Sequence, residues 1–115
     1  MTASGQNFNM IQGDDKVLRV AVYDENDELL SLSGNQINYV WYRRTPGNIV
    51  LTKIVGDGIT ILDQVTDKGF FTITLDDDDT ETFLGLFNHE CEITDGVGNI
   101  STIFTGIIQV NESKA

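Results

Sequence analysis

Alternation with a period of two constrains this chain more than any other feature. From Phe8 onward, apolar residues recur at every second position in short runs, and helical periodicity is almost absent. The runs read as strands over Phe8–Ile11, Val17–Tyr23, Gln36–Arg43, Ile49–Val55, Ile59–Leu62, Phe70–Leu75, Phe87–Ile93 and Ser101–Val110. Alternation puts Leu18, Val20 and Val22 on one face. It does the same for Ile37, Tyr39 and Trp41, for Phe71, Ile73 and Leu75, and for Phe87, His89, Cys91 and Ile93. Turn chemistry separates the runs. Asp24-Glu25-Asn26-Asp27 can hydrogen-bond its own backbone, and Thr45-Pro46-Gly47-Asn48 offers a preset φ followed by a residue free to take positive φ. Gly56-Asp57-Gly58 and Asp95-Gly96-Val97-Gly98-Asn99 read as hairpin turns. Leu29, Leu30 and Leu32 sit in a bent connection and should plug one end of the core. The stretch Asp77 to Leu84 suits a single helical turn crossing between two sheets. About eight short strands at spacings of roughly 8–12 residues predict an all-β sandwich or barrel.

Charge narrows what such a domain can bind. The 115 residues carry 18 acidic and 7 basic side chains, a net charge of −11. That balance opposes phosphate, so neither nucleic acid nor an anionic membrane is an expected partner. No apolar run approaches the ~18 residues of a membrane span, and the start Met1-Thr2-Ala3-Ser4-Gly5 has neither the basic nor the apolar region of a leader. The single Cys91 cannot form an internal disulfide, which fits assembly in a reducing cytoplasm. With no linker, repeat or second domain, the expected organisation is one domain over 8–110 between loose tails at 1–7 and 111–115.

Each group of chemically capable residues has a simpler structural use. Asp76, Asp77, Asp78, Asp79 and Glu81 could offer oxygens to Ca²⁺. They lack the alternate spacing, the central Gly and the distant bidentate Glu of an EF-hand loop, so capping of the short helix explains them better. Neither Gly-rich turn carries the Lys-Ser/Thr of a phosphate loop. His89 and Cys91 share a strand face, but residues two apart stand ~7 Å from one another, too far for a base to activate a thiol. A part-buried His bonded to backbone beside an inert Cys is the expectation. Two N/S ligands cannot make a zinc site. The aromatic residues fall mostly at inward positions, so core packing accounts for them before a sugar platform does. No catalytic group and no cofactor are expected. Tyr42, Arg43 and Arg44 form the one basic-aromatic cluster, expected on a face or end away from the acids, and are the leading partner-contact candidates.

The order of these motifs resembles a known family. Ile11-Gln12-Gly13-Asp14-Asp15, Tyr23-Asp24-Glu25-Asn26-Asp27 and Leu32-Ser33-Gly34 with Ile37 are similar to the opening of small phage immunoglobulin-like domains. The second half agrees through Gly69-Phe70-Phe71-Thr72-Ile73, Leu75, Asp79-Thr80, Gly85-Leu86-Phe87, Glu90, Asp95, Gly98-Asn99, Thr102, Gly106 and Val110. Together they resemble the N-terminal domains of phage baseplate upper proteins and related virion domains. Two positions depart from that pattern: Phe87 stands where a Tyr is common, and Cys91 has no partner on an earlier strand, so packing around Trp41 must replace an antibody-type disulfide. The resemblance implies a single immunoglobulin-like antiparallel β-sandwich of seven to eight strands. It also implies a non-enzymatic virion protein of a tailed phage, assembled in the host cytoplasm. Because the chain stops soon after its last strand, the expected role is a capsid decoration or cement module bound to other virion proteins, reinforced by many copies or by trimerising. A tail, baseplate or head–tail accessory is the alternative, and a glycan- or Ca²⁺-binding adhesion module a second one. Contact would run through an edge strand, the Tyr42 to Arg44 hairpin, or the N-terminal region with Phe8 and Met10.

Overall fold

The alternating runs all become strands. The computed structural model describes residues 7–45 and 47–113. Most of the two expected tails, and Pro46 of the hairpin turn, lie outside the described residues. The elements are β1 (Phe8–Ile11), β2 (Lys16–Ala21), β3 (Gln36–Arg43), β4 (Ile49–Val55), β5 (Gly58–Ile61), β6 (Phe70–Leu75), α1 (Asp77–Thr80), β7 (Gly85–Thr94) and β8 (Ile100–Asn111). Strand 2 stops short of Tyr23, which instead makes an isolated bridge to Leu29. The predicted all-β class with one short helical turn is what forms.

The strands make one curled sheet in the order β1-β8-β7-β3-β4-β5-β6-β2. Most neighbours are antiparallel, but β1 runs parallel to β8 and β4 parallel to β5. The second of these corrects the hairpin reading of Gly56-Asp57-Gly58. Only Ile54↔Gly58 and Val55↔Ile59 pair there, so the chain steps sideways instead of reversing. Gly56 and Gly58 take φ of 89° and 97°, which a residue with a Cβ adopts only under strain. This narrow link joins a five-strand half, β1-β8-β7-β3-β4, to a three-strand half, β5-β6-β2. The Asp95 to Asn99 segment is a hairpin turn as predicted, joining antiparallel β7 and β8, with Gly98 at φ 93°.

The predicted inward faces meet between the two halves. Tyr39, Trp41, Phe71, Ile73, Leu75, Phe87 and Cys91 are fully buried, and Ile37 nearly so. Each large apolar side chain buried there stabilises the fold by about 1.5–3 kcal/mol relative to exposure. Leu32 closes one end of this core with no exposure at all, fulfilling the plug reading. Its N–H donates to Gln64 Oε1 at 2.9 Å, and the same oxygen takes the Gly69 N–H at 3.0 Å. Gln64 thereby pins the 62–69 connection against the Leu29 to Leu32 bend. Met10 belongs to this core too, as do Ile108 and Val110, its neighbours along the β1–β8 pair.

Candidate functional site

The acidic run builds a helix start and an ion pair, not an open cluster. Asp15, in the turn before β2, accepts the Asp77 N–H at 2.7 Å, while Gly13 N–H donates to Thr80 Oγ1 at 3.2 Å. These two bonds tie the β1–β2 turn to both ends of α1. Asp79 Oδ2 accepts the Asp76 N–H at 2.7 Å, and Asp77 Oδ1 accepts the Asp78 N–H at 2.9 Å. The charges therefore sit where unpaired helix N–H groups favour them. Asp79 Oδ2 also meets Lys53 Nζ at 2.9 Å. Lys53 is 8% exposed, so it leaves its own strand inward and crosses to α1. Gly58 makes room for it, because a Cβ at that position would overlap the lysine stem. Among the described residues, no group of three or more His, Cys, Asp or Glu side chains converges as a metal site. Of the run Asp76, Asp77, Asp78, Asp79 and Glu81, Asp77 and Asp79 direct oxygens at backbone amides, and Asp79 also at one lysine.

His89 is more deeply placed than its sequence suggests. It is 1% exposed, and its Nδ1 stands 2.8 Å from Tyr39 Oη, which takes the Trp41 Nε1–H at 2.6 Å. The indole nitrogen can only donate, so the Tyr39 oxygen accepts from it while sharing a second hydrogen bond with His89 Nδ1. One partner of this imidazole is therefore a tyrosine, which alternation along the strands does not reveal. The chain of three satisfies polar atoms in the centre of the core. Burial holds the Tyr39 hydroxyl well above the usual tyrosine range, against the lowering effect of the Trp41 bond. Burial first, then the charges of Glu92 and Glu90, does the same to the Cys91 thiol. A thiol held protonated is a poor nucleophile.

The basic-aromatic cluster divides. Trp41 and Tyr42 point to opposite faces, as successive strand residues must. Tyr42 lies on the outer face of the five-strand half, in a register row with Ile49 on β4, Asn88 on β7 and Ile107 on β8. Ile49 is 62% and Ile107 38% exposed, and Leu86, 49% exposed, lies in the next row. Arg43 instead turns over the open end of the core, its guanidinium 5.2 Å from the Phe87 ring. Arg44 is exposed in the bend beyond β3. Nor are these arginines remote from the acids. Residues 81–84 alone separate α1 from β7, and Arg43 pairs with Phe87 near the start of that strand, so both groups occupy one end of the sheet. Of the two N-terminal contact candidates, Phe8 is half-buried, and Met10 is 7% exposed and faces the core, which removes it from any surface.

A second feature follows only from topology. Among the described residues, strand β1 pairs with β8 alone and β2 with β6 alone, so both ends of the sheet keep a free edge. A groove of about 500 Å³ opens between them. It is lined by all of 16–23 along β2, by Asn7 and Phe8, and by His89, Ile103 and Phe104 beneath. No sequence motif announces it, because an edge is defined by which strand fails to find a neighbour.

A scan against protein-family models and a search of curated proteins find no match to this chain. The functional reading accordingly rests on the resemblance and on these surfaces.

Proposed function

We propose that this chain is a non-enzymatic structural module of a tailed-phage virion, attached to the capsid surface by protein–protein contacts. The observation that carries the reading is the outer-face row Ile49–Tyr42–Asn88–Ile107 with Leu86 beside it. Four apolar or aromatic residues gathered on one sheet face have the composition of an interface centre. Of the aromatic residues that a sugar platform could use, Tyr39, Trp41, Phe71 and Phe87 have no exposure. The domain's motifs also stand in the order that the phage family uses.

Mass spectrometry of purified virions tests the assignment, with the chain expected among the structural proteins at a copy number set by the capsid lattice. Its absence from virions would sink the proposal. Recovery with isolated tails and not with capsids would move it to the tail. Tyr42→Ala should weaken attachment to capsids by about tenfold, the effect of truncating one interface aromatic.

A further inference from the structure

We infer that the groove between β1 and β2 is a docking site for an extended segment of a partner protein, which adds to the free edge of β2. The inference deepens the reading above and rests on it for the nature of the partner. The groove is lined by eight consecutive residues of both faces, 16–23, so it runs along the strand's backbone edge and not over one side-chain face. An edge presents unpaired N–H and C=O groups, and the ligand that satisfies them in register is another strand. The core is also incomplete on this side. Leu18 and Val20 point inward yet stay half-buried, whereas their β6 partners Ile73 and Phe71 are fully buried. An occupant bringing apolar side chains at every second position would finish that burial above Phe104 and Ile103.

Charge selects among such segments. Lys16 reaches across the groove from β2, its Nζ 4.9 Å from the centre of the Phe8 ring on β1. In a chain with 18 carboxylates, Lys16 forms an ion pair with none of those among the described residues. The segment that fits carries a carboxylate on the same face as its inward apolar residues, at the Lys16 end.

The test uses the ¹⁵N-labelled full chain and the capped peptide Ac-Glu-Thr-Val-Thr-Val-Thr-Glu-NH₂, which places Val and Glu on one face whichever way it runs. Binding should shift the amide resonances of 16–23 and of Phe8 and slow their hydrogen exchange. Replacing both Glu by Gln, or making Lys16→Gln in the protein, should weaken binding by about five- to tenfold. The two changes together should do no more than either alone. A peptide N-methylated at alternate residues should not bind along β2. Unmoved β2 amides, or equal binding of the N-methylated peptide, overturn the inference. Shifts produced by dodecanoate but not by the peptide would make the groove a small-molecule site and overturn it too. So would cross-peaks between residues 1–6 and β2 in the free chain, which would assign the groove to the chain's own start. A chain found in virions that ignores the peptide defeats this inference alone. A chain that binds the peptide but is missing from virions defeats the virion assignment alone.

Discussion

Cys91 and Lys53 show how far single residues are determined by their surroundings. Cys91 sits in the inward series of β7 with Phe87, His89 and Ile93, and that placement follows directly from alternation. Its burial and the nearby charges of Glu92 and Glu90 keep the thiol protonated. A thiol-disulfide reagent at pH 8 should therefore leave the native chain unmodified and label one thiol per chain in denaturant; rapid native labelling would contradict the buried assignment. Lys53 is the opposite case. Asp79 lies beyond two intervening strands, and alternation along β4 names no partner for this lysine. Its inward direction depends on Gly58 leaving space, a condition that appears only after the sideways step from β4 to β5 is made. Asp79→Ala should cost about 3 kcal/mol, because it strands a mostly buried ammonium. Lys53→Met in the same background should recover most of that loss. A chemical-denaturation cycle that found the two effects additive would remove the ion pair from the account.

At the scale of elements, periodicity located the strands but left their neighbours undefined. Eight runs of alternation gave eight strands with the predicted inward faces, since burial on a pleated surface has a period of two. The parallel pair β1–β8 and the two free edges depend on contacts between distant segments, which no local pattern encodes, whereas the parallel β4–β5 step joins residues only four apart. The helical turn was legible as an acidic start, whereas its cap from Asp15 came from the other half of the chain. Strand β7 supplies a pH-dependent prediction. Partial burial and then the charge of Glu92, two residues along the same outward face, hold the Glu90 carboxyl above its ordinary value near 4.5. A raised acid favours the folded state in its protonated form: that contribution is fully present below the unfolded value and is lost as pH rises through the folded one. Glu90→Gln should therefore stabilise the fold at pH 7 by a few tenths of a kcal/mol, little because the site is part-exposed. The gain should vanish by about pH 3, where both side chains are neutral. Melting curves for the two chains at both pH values check this, and an equal or larger gain at acid pH would contradict it.

As a whole molecule, the chain sets acidic side chains beside its candidate contact surface: Glu90 and Glu92 share the outward face of β7 with Asn88 and Leu86. The −11 net charge is distributed over turns, α1 and the outward face of β7, where it hydrates the domain. Three exposed apolar residues, Ile49, Leu86 and Ile107, lie around Tyr42 on the outer face, and the unfinished core opens along β2. A module that joins a preformed lattice, as proposed, benefits from acidic surroundings because they discourage self-association. The most direct test of the structural role is a sedimentation assay with capsids purified from virions that lack this chain. The wild-type chain should co-sediment with saturable stoichiometry, and Tyr42→Ala and Ile107→Asp should each reduce the bound fraction without changing the melting temperature by more than a few degrees. Failure of the wild-type chain to sediment with either capsids or tails, or undiminished binding by both variants, would contradict the account.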